Sequence, residues 1–182
     1  MSTITTFTGK HIDPLNPEVE LIDIRDIAHA LSMTCRANGH VKRFYSVGQH
    51  CIACAKEAKM RGYDLHVQLA ALLHDASEAY LCDIPRPMKD MIPGYQEAED
   101  RLQDMIWNKY LDEPLTETER KNIQEIDDDM LACEFHMLMP EDYSGDYWKI
   151  VSQVPFRPVK TEGVEYEYRR YFSTMMEEYL EG

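Results

Sequence analysis

Beyond residue 22 the apolar positions of this chain recur three and four apart, and polar capping residues punctuate them. That spacing is the pattern of helices rather than strands. Ile24, Ile27, Ala28 and Leu31 follow Asp23, a side chain suited to an N-cap, and predict a helix ending near Gly39. Ser46 can cap a second helix that runs to about residue 61, before Gly62. Asp64 can cap a third, from 65 to about 80, stopped ahead of Pro85 and Pro87. Ala98, Leu102, Met105 and Ile106 lie on one stripe of a fourth helix, from about 95 to 110. Thr116 with Glu119 makes a capping box for a fifth, which reaches about residue 139 before Pro140. A Tyr/Gly/Trp-rich connection and a proline loop at 155–158 then lead to a last helix over about 163–180. Its stripe of Val164, Tyr168, Phe172, Met175 and Tyr179 suits core packing, with a subunit interface as the alternative. Residues 1–22, which include Pro14 and Pro17, read as an irregular or short β lead-in. The expectation is an all-α helical bundle built as one domain over residues 1–182.

The third helix differs from the others. In VQLAALLHDASEAYL the apolar residues lie on nearly every side, so this helix belongs at the centre of the bundle. It nevertheless carries His74 and Asp75, with Glu78 four residues after the first and three after the second, on a shared helix face. A carboxylate in the interior costs several kcal/mol unless it is paired or bound to a metal. His50 lies early on the preceding helix, and EIDDDMLACE downstream supplies further carboxylates. Two imidazoles and two carboxylates from three helices can hold a divalent cation and leave coordination positions open. An open position lets such an ion acidify a water or polarise a phosphoryl oxygen. On the fifth helix the stripe of Ile123, Ile126, Met130, Cys133 and Met137 faces inward at about 100° per residue. Asp128 then points away, while Asp127 and Asp129 both flank the stripe, and periodicity does not separate those two.

Composition narrows the classes. The chain has 182 residues, 44% of them hydrophobic, which suffices for one domain with its own core and excludes a disordered or low-complexity segment. Nineteen basic against thirty-three acidic residues give a formal charge of −14. A nucleic-acid polymer as partner is excluded on this ground, because backbone binding needs a basic stripe. Five cysteines, Cys35, Cys51, Cys54, Cys82 and Cys133, are odd in number and scattered. The start MSTITTFTGK lacks the basic and apolar regions of a signal peptide, and the aliphatic run at 69–73 falls far short of the roughly 20 residues that span a bilayer. Reduced thiols in a cytoplasmic protein, away from any membrane, are the expectation. Cys51-x-x-Cys54 has no second pair to complete a structural zinc site, so these two read as small buried residues.

The pattern H50…H74-D75…D127 resembles the HD-domain metal-dependent phosphohydrolases. Within them, LLHDASEAYLCDIPRPMK is similar to the motif of the bacterial HD 5′-deoxynucleotidases and of the phage-type deoxynucleotide triphosphohydrolases, including those that act on dATP. The likeness covers about residues 22–140. It implies an HD-domain bundle with His50, His74, Asp75 and Asp127 as ligands of one divalent transition metal: Co, Mn, Zn or Fe, with Mg also admissible. It implies that Glu78 is the catalytic carboxylate that orients or deprotonates the attacking water. Asp83 would be a second acid near the phosphate and leaving oxygen, and Arg43 a basic position that helps organise the site. Arg86 and Lys89, in the loop after this helix, could meet phosphate oxygens or be a solvated pair, and the likeness favours Lys89. Where the deoxynucleotidases carry an arginine followed by tryptophan, the nearest equivalent is Arg36 followed by Ala37, which leaves the aromatic contact to Phe44 or Tyr45. The activity implied is hydrolysis of the 5′ phosphoester of a small deoxynucleotide, releasing phosphate or triphosphate, by a homo-oligomer. The alternative is a catalytically inactive, metal-stabilised binding or nucleotide-sensing module.

Overall fold

Side-chain caps set four of the helix starts. The computed structural model describes residues 3–89, 91–140 and 149–181. In it Asp23 accepts from the Arg25 amide to open α1 (Ile24–Met33), and Asp64 accepts from the Val67 amide to open α3 (Leu65–Leu72). Ser46 and Gln49 complete a reciprocal capping box at the head of α2 (Val47–Met60). Thr116 and Glu119 do the same for α7 (Glu117–Leu138). The remaining helices are α4 (Glu78–Leu81), α5 (Arg86–Lys89), α6 (Tyr95–Tyr110) and α8 (Thr161–Glu181). Two short strands, β1 (Ile4–Thr5) and β2 (His11–Ile12), pair antiparallel with Ile4 opposite Ile12. The fold is all-α with a short β lead-in, and the Tyr/Gly/Trp-rich connection falls on 141–148, outside the described residues.

Three boundaries differ from the sequence reading, each for a local or tertiary reason. Helix α1 stops at Met33: the Thr34 amide still makes the helical bond to the Ala30 carbonyl at 3.0 Å, but Thr34 itself turns extended, at φ −75° and ψ 120°, with its hydroxyl donating to the same carbonyl at 2.9 Å. The chain then extends, and Cys35 bridges antiparallel to Ser46 instead of continuing the helix to Gly39. Pro87 does not simply terminate structure. It sits in the first turn of α5, where its missing N–H costs nothing, and the Pro85 carbonyl accepts from the Met88 amide. The third predicted helix is split at its chemistry-bearing end, as described below.

Helix α3 occupies the centre, packed on α2, α7 and α8. Val67 and every residue from Leu69 to Leu73 are buried hydrophobics, as expected of a helix without a polar face. Truncating one of its fully buried leucines to alanine is the kind of change that costs about 2–5 kcal/mol. On α8, Val164, Tyr168, Phe172 and Met175 are buried in this chain's own core, with Tyr179 packed partly against it. No helix among the described residues is long and apolar enough to cross a membrane.

His66, at the start of α3, ties that helix to α7 through Glu119 at 3.0 Å and to the Glu113 carbonyl at 3.1 Å. Burial alone would lower its pKa, but these two partners raise it above the ordinary 6.5. A raised folded-state pKa contributes stability that is full below about pH 6.5 and is lost as pH rises through the folded value. His66→Gln is therefore expected to destabilise the protein more at about pH 6 than at about pH 9, measured by urea denaturation at both.

Candidate metal centre

A helix leaves its last four carbonyls without helical donors. At the buried end of α3 all four find side chains. Ala70 accepts from the Trp107 indole N–H at 3.2 Å, Leu72 from the Tyr168 hydroxyl at 2.7 Å, and Leu73 from the Gln103 amide at 2.8 Å. Ala71 pairs with His74 Nδ1 at 2.8 Å. A carbonyl only accepts, so Nδ1 of His74 carries the proton and Nε2 is free to face the site. His50 is arranged alike: its Nδ1 lies 2.8 Å from the buried Glu134 carboxylate, which leaves Nε2 free.

The two Nε2 atoms stand 3.1 Å apart. Asp127 Oδ1 lies 3.0 Å from that of His50 and 3.7 Å from that of His74. Asp75 brings Oδ1 to 3.4 Å from His74 Nε2 and Oδ2 to 3.7 Å from His50 Nε2. Ligands about 2.0–2.2 Å from one ion stand roughly 3–3.5 Å from one another, so these spacings suit a single small cation. Asp75 Oδ2 and Glu78 Oε2 are buried and accept no hydrogen bond among the described residues. Burial opposes a charge on either ring, yet Glu134 and Asp127 around His50, and Asp75 and Asp127 around His74, raise both imidazoles. The same negative field suits a divalent ion, and a two-nitrogen, carboxylate-oxygen set suits a transition metal.

Sulfur also borders the centre. His50, Cys54 and His74 present donor atoms within 4.8 Å of one another, as do Cys51, His74 and Asp75, so a His/Cys/Asp group here could hold a metal ion. Cys54 Sγ lies 3.6 Å from His50 Nε2. Burial pushes the Cys54 thiol up to about 11 and raises Cys51 as well, which favours the nitrogen and oxygen donors.

The other candidates divide. Asp129 faces away from the centre and pairs with Arg61 at 2.8 Å and Lys149 at 3.5 Å, so Asp127 is the inward carboxylate. Arg36 is largely buried and bridges Asp75 at 3.5 Å to Glu134 at 3.3 Å. Burial raises the Glu78 carboxyl well above its usual range, and the neighbouring Asp75 and Asp83 add to the effect. Burial raises Asp83 too. Asp127 goes the opposite way, since His50 and His74 overcome its burial and hold it well below the ordinary value. Lys89 lines the cleft but its ammonium is held by both Glu99 oxygens, at 2.7 and 2.9 Å. Arg86, not Lys89, reaches the centre, with one nitrogen 2.8 Å from Asp127 Oδ2 and another 2.8 Å from Asp128.

Arg43 does not reach the centre as expected: it is exposed and does not line the cleft, whereas Arg36, Ala37, Asn38 and His40 of the same segment between the Cys35–Ser46 bridge partners do. Tyr45 is buried against Phe156, and Phe44 is exposed; neither lines the cleft. The aromatic groups there are Trp107 and Phe135, within a cavity of about 1320 Å³ that also contains Ala37 and Arg120. Sequence reasoning missed Glu134, although it follows Asp127 by seven residues, two turns on the same face. It missed Gln103 and Trp107 because nothing local marks a polar or aromatic side chain that will serve a distant helix end.

No protein-family model matches the chain. Among curated proteins it is 38% identical over 157 residues to the uncharacterized protein YfdR of Escherichia coli (strain K12), an alignment covering 85% of this chain and 82% of YfdR. It is 41% identical over 101 residues to the uncharacterized protein RCAP_rcc00048 of Rhodobacter capsulatus, covering 52% of this chain and 51% of that protein.

Two substitutions check this anatomy. Glu134→Ala removes the group that orients His50, and divalent-metal affinity is expected to fall about 10–100-fold by isothermal titration. Cys82 joins α4 to Asp83 at φ 73°, ψ 156°, a region that only glycine occupies freely. Cys82→Gly is expected to stabilise the protein by about 1 kcal/mol in chemical denaturation.

Proposed function

The chain belongs to the family of YfdR, and we propose that it is a divalent-metal-dependent phosphohydrolase acting on the 5′ phosphoester of a deoxynucleotide. The observation that carries the reading is the meeting of His50 Nε2, His74 Nε2, Asp75 and Asp127 around one point, beside the buried carboxyl of Glu78. The likeness of LLHDASEAYLCDIPRPMK to the HD-domain phosphohydrolases supplies the reaction. A divalent ion bound by those four residues would supply positive charge to a phosphoryl oxygen and acidify a water.

The chain's own groups then divide the work. Glu134 and the Ala71 carbonyl hold the two imidazoles in the tautomer that presents Nε2. Glu78, a stronger base for being buried, takes the proton of the attacking water. The water oxygen bonds to phosphorus, the bond to the 5′ oxygen breaks, and Asp83, which retains its proton to higher pH, protonates the leaving oxygen. Arg86 lies on the cleft wall next to Asp127, where its exposed guanidinium can meet phosphate oxygens. Lys89, fixed to Glu99, steadies α5, which carries Arg86, and the segment before it, which carries Asp83.

Elemental analysis of the purified protein, combined with turnover of a deoxynucleotide panel in added Mn²⁺, Co²⁺ or Zn²⁺, tests the proposal. Phosphate and triphosphate are detected separately, and failure to turn over any nucleotide overturns it. Glu78→Gln is expected to lower kcat by about 10²–10⁴-fold with the metal content unchanged.

A further inference from the structure

The break in the third predicted helix falls on the metal-centre motif, and its cause lies on α6. In an uninterrupted helix the Leu73 carbonyl would accept from the Ser77 amide, four residues on. Here the Gln103 carboxamide stands between them. Its Nε2 donates to the Leu73 carbonyl at 2.8 Å, and its Oε1 accepts from the Ser77 amide at 3.1 Å. Both Gln103 and Ser77 are buried. One side chain thus takes the place of one helical rung, and a side chain inserted in the ladder is among the few recognised causes of a sharp helix break.

The backbone around the inserted amide tightens. Ala76 N donates to Leu73 at 2.9 Å, Glu78 N to Asp75 at 3.1 Å, Ala79 N to Ala76 at 3.3 Å and Tyr80 N to Ser77 at 3.0 Å. All four are three-residue steps, and in that geometry side chains three apart eclipse. Asp75 and Glu78 are therefore brought into line with each other. His74 is released from the Glu78 face that a regular helix would give it, and turns to Ala71 and His50.

We infer, on the premise that the centre holds a divalent ion, that Gln103 is its positioning residue: the carboxamide that replaces the Leu73–Ser77 rung sets the turn that aims His74 and Asp75 at His50 and Asp127. Gln103 touches neither the ion nor the reacting atoms in this role. It acts through the backbone of the turn.

Co²⁺ titration of the purified protein tests this, read by the visible absorption of the bound ion and by competition with a chelator. Gln103→Leu removes both hydrogen bonds at similar volume and is expected to weaken Co²⁺ binding by about 10–100-fold and to alter the absorption band. Tyr168→Phe is the control, since it removes a buried hydrogen bond to Leu72 at the same helix end without touching the turn. It is expected to lower the melting temperature while leaving Co²⁺ affinity within about twofold. Should Gln103→Leu fail to fold, Gln103→Glu serves, because it keeps an acceptor for Ser77 but, ionised, loses the donor to Leu73; a several-fold loss is expected. Equal Co²⁺ affinity in wild type and the Gln103 variant overturns the inference, as does an equal loss in Tyr168→Phe. Wild-type protein that takes up no metal at all is a distinct result, and it overturns the functional proposal together with this one.

Discussion

A buried helix that stops in the middle of a protein must find donors for its last carbonyls, and α3 finds them in four different side chains. Trp107 and Gln103 come from α6, Tyr168 from α8, and His74 from the turn itself. Ala70 and Leu73 also accept from the backbone amides of Leu73 and Ala76, whereas Ala71 and Leu72 depend on these side chains, and each would cost about 1–3 kcal/mol if left unpaired. Paired, they let the chain leave helical geometry at the centre of the core without that loss. The same bond that accommodates Ala71 also fixes the tautomer of His74. Structural necessity and site chemistry are here one hydrogen bond.

Charge is the second constraint. The chain is strongly acidic, and its cleft cations are already committed: Arg36 to Asp75 and Glu134, Arg86 to Asp127 and Asp128, Lys89 to Glu99, Arg120 to Asp104. Carboxylates gathered in a low-dielectric interior repel one another and resist ionisation, as the raised Glu78 and Asp83 show. Positive charge at the meeting point of His50, His74, Asp75 and Asp127 relieves that repulsion. It is also what an anionic substrate would need from so acidic a cleft.

Burial raises both Asp127 and Glu78, and their neighbours then drive them apart. Asp127 is held ionised by two imidazoles, whereas Glu78, raised by burial and further by Asp75 and Asp83, binds a proton more tightly. Two carboxyl groups pushed in opposite directions by their surroundings are suited to different tasks, one to hold a cation and one to exchange a proton.

Much of this was legible in the chain. Asp23, Ser46, Asp64 and Thr116 cap their helices because capping is a contact across two or three residues. The all-round burial of α3 follows from its composition, and the cost of placing His74 and Asp75 in such a helix singled them out as candidates. Local order thus came from the sequence by itself. The tertiary structure alone decided that α3 breaks at Leu73, that Asp127 rather than Asp129 turns inward, that Glu134 orients His50, and that Arg86 rather than Arg43 or Lys89 reaches the centre. The partners that end α3 lie 30, 37 and 96 residues away in the chain. No local propensity encodes a hydrogen bond over such a distance; it exists only once packing has brought α6 and α8 against α3.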